Sequence, residues 1–317
     1  MLALVTGGAG FIGSNLVDQL LGRGHEVHVV DDLSSGKESN LADALAAGAT
    51  LHTADIRDGD AMRDLFASVQ PEVVFHLAAQ IDVRVSVADP AYDARTNVEA
   101  TANLLETGRV NGVRRFVFAS TGGAIYGVTD IMPTPENTEA RPMAPYGTSK
   151  LCAEQYLGLY ERLHGMSTVA LRFGNVYGPR QDPHGEAGVV AIFAGKLLAG
   201  ETPLIFGDGR QTRDYVYVGD VVAANLAAAA HPEAHGAYNI GTGTEATVID
   251  VLSALRQAAG LGEDELQPEF APARTGELQR SALDVSRARA ELGFTADTDL
   301  VAGMQPTLDW ARAAAAS

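Results

Sequence analysis

The chain has 317 residues, 46% hydrophobic and 20% charged, the composition of an ordinary globular protein long enough for one large domain or two smaller ones. A net charge of −17 argues against a nucleic-acid surface, and no run reaches the ~18 apolar residues of a membrane span, 223–230 being too short. Cys152 stands alone, which excludes an internal disulfide, and the first residues pattern as a strand rather than a secretion signal, so a cytoplasmic location is expected.

In chain order, short β-branched runs alternate with amphipathic stretches. Strands are predicted at 2–6, 27–31, 51–55, 73–77, 116–120 and 169–173, with helical patterns such as Ile12–Leu16–Leu20 and Leu104–Leu105 between them. Strands apolar on both faces and separated by helices imply a parallel sheet covered on both sides. Right-handed crossovers then make it a Rossmann-type doubly wound α/β sheet. After residue 175 the rhythm loosens. Pro179, Pro183 and Gly185 mark a loop, followed by a helix near 189–198 and a turn at Gly207–Asp208–Gly209. Strands at 215–218 and 237–240 and helices at 248–259 and 285–292 complete a smaller C-terminal α/β substrate domain. The expected division is 1–175 for a dinucleotide-binding domain, rejoined by parts of 210–240, and 176–317 for the second.

The stretch ALVTGGAGFIGSNLV places Gly7, Gly10 and Gly13 between the first strand and the first helix. Glycines at this spacing permit a tight turn, close backbone approach to a pyrophosphate, and close packing of helix on strand. The helix start offers free N–H groups to phosphates. Asp31 ends the second strand 18 residues after Gly13, where a carboxylate can bind ribose hydroxyls and repel a 2′-phosphate, favouring NAD over NADP; nearby Lys37 acts in the other direction. The bland alternative is a glycine turn closing an ordinary βα unit.

In APYGTSK, Tyr146 and Lys150 are four residues apart on a helix that Pro145 can open, and Cys152, Tyr156, Leu159 and Leu163 are expected to continue its buried stripe. A phenol of pKa near 10 is a poor base at neutral pH, but a neighbouring ammonium and a positive nicotinamide ring would lower it. Tyr146 could then accept a hydroxyl proton. His76 is expected in the core, His52, His231 and Arg180 in solvent, and His184 in a loop without a role. Asn97 begins a helix and would serve there as its cap. No His, Cys and carboxylate residues have zinc-ligand spacing, so no metal is expected.

These motifs, with HLAAQ at 76–80, Asn97, ASTGGAIYG at 119–127 and RFGNVYGPRQ at 172–181, together resemble the extended short-chain dehydrogenase/reductases. More narrowly, the chain is similar to nucleotide-sugar epimerases of the UDP-glucose 4-epimerase type. The likeness continues through FGDGRQTRDYVYVGD at 206–220 and NIGTG at 239–243 to APARTGELQRSALD at 271–284. It implies NAD as cofactor, a UDP-sugar substrate epimerised at C4 through a 4-keto intermediate, and a homodimer formed by helices 97–110 and 149–164.

The residues that the resemblance places against NAD are Gly7, Gly10, Phe11, Ile12, Gly13, Asp31, Asp32, Asp55, Ile56, Leu77, Ala78, Ala79, Asn97, Tyr146, Lys150 and Phe173. Against the substrate it places Thr121, Tyr146, Asn175, Val189, Arg213, Tyr215, Arg274 and Glu277, the two arginines on the diphosphate and Glu277 on the uridine ribose. For either arginine a surface ion pair is the alternative. The catalytic set is Tyr146, Lys150 and Thr121. Gly122 stands where the family's usual hydroxyl sits, so Thr121 of the Thr-Gly-Gly form takes that role. Otherwise Thr121 caps a strand end, and Ser120 or a water serves. The related dehydratases carry Asp-Glu after the Thr, and Gly122–Gly123 cannot supply a proton. UDP-N-acetylglucosamine and UDP-glucuronate are alternative substrates, a UDP-glucuronate decarboxylase an alternative activity. A non-catalytic dinucleotide sensor would not need the Tyr–Lys pair.

Overall fold

The computed structural model describes residues 1–183, 188–274 and 278–316. Its strands are β1 (Leu2–Thr6), β2 (Glu26–Asp31), β3 (Thr50–Thr53), β4 (Val73–His76), β5 (Arg115–Thr121), β6 (Ser167–Phe173), β7 (Asn175–Tyr177), β8 (Leu204–Phe206), β9 (Thr212–Arg213), β10 (Tyr215–Tyr217), β11 (Gly236–Ile240), β12 (Ala246–Thr247) and β13 (Glu269–Ala271). Seven of them form one parallel sheet in the order β11-β6-β5-β4-β1-β2-β3. The chain winds outward from β1 to β3, then returns to place β4 on the other side of β1. That reversal opens a crevice at the carboxyl ends of β1 and β4, where ligands bind in doubly wound folds.

Alternation along each strand builds two apolar layers. Ala3, Val5, Val27, Val29, Val117 and Leu171 face the layer containing Leu16, Leu20 and Val221 of helices Phe11–Gly22 and Val218–Ala230. Leu4, Val30, Val74, Phe116 and Phe118 face the other, with Met62, Phe66, Leu104, Ala153 and Leu157. A third core, including Tyr177, Phe193, Ile205, Val251, Leu255 and Met304, gathers β7, β8 and later helices. The strand pairs β7–β10, β8–β13 and β9–β12 lie outside the main sheet. Among the described residues no helix is long and apolar enough to cross a membrane.

Three local expectations are corrected. β3 stops at Thr53 rather than reaching residue 55, because the Asp55 carboxylate accepts the Arg57 N–H (2.8 Å) and turns the chain. Asn97 does not open a helix. Asp89 caps Pro90–Ala94, which runs through a π-helical stretch, Arg95–Glu99, into Ala100–Val110. On Pro145–His164, the buried face is Gly147, Ser149, Lys150, Ala153 and Leu157. Cys152, Tyr156, Leu159 and Leu163 form a second stripe at the same period, turned outward.

Candidate active site

The glycine turn fits a dinucleotide because it leaves no room for side chains. Gly7 has φ +69°, and a Cβ there would lie 2.6 Å from the Ala78 nitrogen. A Cβ on Gly13 would overlap the Gly7 carbonyl oxygen, so the helix is pressed directly onto the turn. Gly10 occupies its N-cap without a side-chain bond, and Phe11 and Ile12 form the first turn of an uncapped, anion-accepting helix start. At the end of β2 the Asp31 carboxylate accepts from the N–H groups of Ala9 and Leu33, both at 2.9 Å. Burial raises its pKa, and these two donors pull it back. Asp32 is exposed beside it, and Lys37 is ion-paired with Asp182 at 3.3 Å. Asp55 is held by Arg57, whose hydrogen bonds lower its pKa, and Ile56 is buried next to it. Leu77, Ala78 and Ala79 follow β4, the first two donating from their N–H groups to the Thr6 carbonyl and hydroxyl. Phe173 is buried at the end of β6. All of these groups rim the same carboxyl edge of the sheet.

Tyr146 and Lys150 occupy the first two turns of Pro145–His164. The Lys150 ammonium donates to the Ala119 carbonyl (2.8 Å) and sits 4.6 Å above the Phe118 ring centroid, both on β5. Burial lowers its pKa to about 8, opposed by Asp93 and Glu154. Burial pushes the Tyr146 phenol up to about 12, Asp93 adds to the rise, and the Thr121 hydroxyl, within hydrogen-bonding reach, pulls it down. Desolvation of a phenolate outweighs what the chain itself offers it. Thr121 also caps the short Gly122–Ile125 helix, accepting from the Ala124 N–H at 3.2 Å. Ser120 turns away, donating to Glu154 Oε1 at 2.6 Å, so Thr121 is the neighbouring hydroxyl.

Apart from Thr121 and Tyr146, the expected substrate residues that the structure describes lie in or beside the part built around the third core. Asn175 on β7 is the register partner of Tyr215 on β10, and its Oδ1 lies 3.7 Å from where a Cβ on Gly123 would be. Val189 begins a helix whose N-cap is Gly188. Arg213 on β9 donates to the carbonyls of Thr212 and Leu278, each at 2.8 Å. Arg274 is exposed, its guanidinium 4.1 Å from the Phe206 ring centroid. Glu277 lies outside the described residues, as does His184.

Residues 3–241 match the NAD dependent epimerase/dehydratase family. The chain belongs to that family. A relative named UDP-glucose 4-epimerase from Mycolicibacterium smegmatis is 47% identical over 98% of this chain and 99% of its own. Among solved structures, a UDP-glucose 4-epimerase with UDP-glucose from Thermotoga maritima superposes with TM-score 0.93 at 45% identity, covering 99% of this chain and 100% of that one. A Thermus thermophilus UDP-glucose 4-epimerase complexed with NAD gives TM-score 0.88 at 44% identity over the same shares. The glycine turn, the N–H-rich helix start and Asp31 are what the NAD of an NAD dependent epimerase/dehydratase requires.

This member of the family also carries site residues that motif reading missed. Asp93 is fully buried and accepts from Ser149 Oγ at 2.6 Å, Gln80 Nε2 at 2.9 Å and Asn97 Nδ2 at 3.0 Å. Asn97 thus serves as a latch rather than a cap, exchanging hydrogen bonds with the backbone of Gln80. Glu154, one turn beyond Lys150, forms a buried ion pair with Arg172 at 2.6 Å; its i,i+4 place was a readable signal. Two residues expected in solvent are not there. Arg180 is ion-paired with Asp18 at 2.7 Å, and half-buried His52 bonds to His28 at 2.8 Å across adjacent strands. His76 is in the core as expected, bonded to Thr6 and Thr101.

Proposed function

We propose that the protein interconverts UDP-glucose and UDP-galactose by NAD-dependent inversion at C4, through a 4-keto sugar. The observation that carries the proposal is the convergence of Tyr146, Lys150 and Thr121 at the carboxyl end of β5, beside the crevice between β1 and β4. Bound NAD supplies the hydride acceptor and donor and, when oxidised, a positive ring. Tyr146 takes the 4-hydroxyl proton as the hydride leaves C4 and returns it when the hydride comes back to the opposite face. Burial pushes its phenol up to about 12; to ionise near neutrality it needs nearby positive charge, which the Lys150 ammonium and an oxidised nicotinamide would supply. Thr121 donates to the reacting oxygen. Asn175, Arg213 and Arg274 hold the diphosphate, Val189 and Tyr215 line its pocket, and Glu277 takes the uridine ribose. The sheet unit, rejoined by Val218–Ala230 and β11, holds NAD, and the other residues after 175 hold the sugar nucleotide.

Elimination is disfavoured at Gly122. Neither Gly122 nor Gly123 carries an acid, so the pair that follows Thr121 cannot protonate a leaving group. The outward stripe of Tyr156, Leu159 and Leu163, with exposed Val110 on the neighbouring helix, supports a homodimer built on these helices. The lone, exposed Cys152 fits a cytoplasmic location.

The test is to denature the purified protein and assay released NAD, then to follow the anomeric NMR signals of UDP-galactose incubated with native protein. Bound NAD and appearance of UDP-glucose without added cofactor are expected. NAD retained with no conversion of UDP-galactose, UDP-N-acetylgalactosamine or UDP-glucuronate would leave a dinucleotide sensor.

A further inference from the structure

We propose that Asp93 is a positioning residue for Tyr146 and Lys150: a buried carboxylate that ties the loop after β4 to the catalytic helix through Ser149 and supplies the negative charge that the Lys150 ammonium faces. The inference rests on the roles proposed above for that pair.

Asp93 is fully buried, yet its two oxygens take three donors from three different segments. Gln80 ends the loop carrying Leu77–Ala79, Asn97 stands in the π-helical stretch, and Ser149 immediately precedes Lys150. Gln80 and Asn97 also exchange backbone bonds, the Gln80 N–H donating to Asn97 Oδ1 (3.0 Å) and Asn97 Nδ2 donating to the Gln80 carbonyl (2.8 Å). The π-helical widening falls where Asn97 must reach across to this loop. One carboxylate therefore registers the loop proposed to touch NAD against the helix proposed to perform the proton transfer.

Among the described residues its three hydrogen-bond donors are all neutral. A buried charge without a contacting cation is costly, and such groups cluster where chemistry needs them. The field of Asp93 raises the pKa of Lys150, opposing the burial that brings it to about 8, and raises that of Tyr146. Other groups face the pair as well. Glu154 on the same helix also supports the ammonium while bound to Arg172, and the Ala119 carbonyl and Phe118 ring contact it from β5. Thr121 favours the phenolate, and His76 on β4 stays neutral because burial holds its pKa down to about 3. Asp93 opposes the discharge of Lys150 and makes Tyr146 a weaker acid.

Asp93→Asn tests this on the whole enzyme with UDP-galactose. The amide retains an acceptor toward Gln80 and Asn97 and presents a donor to the Ser149 hydroxyl, so mainly the charge is lost. Both limbs of the kcat/KM–pH profile should move to lower pH by about half a unit or more, the basic limb because Lys150 discharges earlier and the acid limb because Tyr146 ionises earlier. Ser149→Ala keeps the carboxylate and breaks one tie; it should lower kcat several-fold and leave the profile in place. Bound NAD and circular dichroism report folding of each variant. An Asp93→Asn profile coincident with the wild type overturns the inference, as does Ser149→Ala at full rate should Asp93→Asn not fold. A wild type inert toward UDP-sugars would bring down the parent proposal and this inference with it.

Discussion

At Tyr146 a single hydroxyl meets opposing influences: desolvation and Asp93 hold its proton on, while Thr121 draws it off. The proposed acid–base role therefore depends on charges gathered around it rather than on any intrinsic acidity. His76, one strand away, shows the same desolvation without a catalytic purpose. Its folded pKa of about 3 lies below the ordinary value of 6.5, so on acidification the unfolded chain takes up that proton first. Stability present above about pH 6.5 should be lost as pH falls from there toward 3. His76→Gln, which can still reach Thr6 and Thr101, should make urea-measured stability less steep between pH 7 and 5, by up to about 1.4 kcal/mol per pH unit. Identical slopes would show that His76 does not titrate on unfolding. Tyr146 and Lys150 were legible in the sequence because i,i+4 spacing is local. Asp93 was not: Asn97 is four residues away, but the partners that tie it to the site lie 13 residues upstream at Gln80 and 56 downstream at Ser149, and only tertiary packing joins those.

The helix Pro145–His164 carries two apolar stripes one residue out of phase, and periodicity alone could not decide which one faces the sheet. Ala153 and Leu157 took that place because Lys150, on their face, has the Ala119 carbonyl and Phe118 ring to receive it. The second stripe is left outward, Leu163 at 64% exposure. If it pairs two copies, Leu163→Glu should shift the light-scattering mass from two chains to one. A wild type already at one chain mass would remove the proposed dimer. Strands were read closely because a buried parallel strand is a short apolar run with sharp ends. The π-helical stretch was invisible: Arg95–Glu99 carries no glycine or proline to mark it, and the Gln80 backbone that Asn97 within it meets lies 17 residues away.

Strand order explains why residues from six separate segments share one edge. Every parallel strand delivers its carboxyl end to the same side, and the reversal between β1 and β4 parts the crossovers there. A chain of net charge −17 can hold an anionic ligand through local groups: a bare helix start at Gly10 and, in the proposed substrate site, arginines at 213 and 274. The third core, with its loops and two-residue strands, was the least readable part, since short irregular pairings such as β9–β12 carry little periodicity. The proposed chemistry is tested most directly by turnover of UDP-galactose by Tyr146→Phe, with NAD per chain assayed on the same preparation. The account predicts unchanged NAD content and a kcat lower by roughly 10²-fold or more. Wild-type kcat with NAD retained would contradict it.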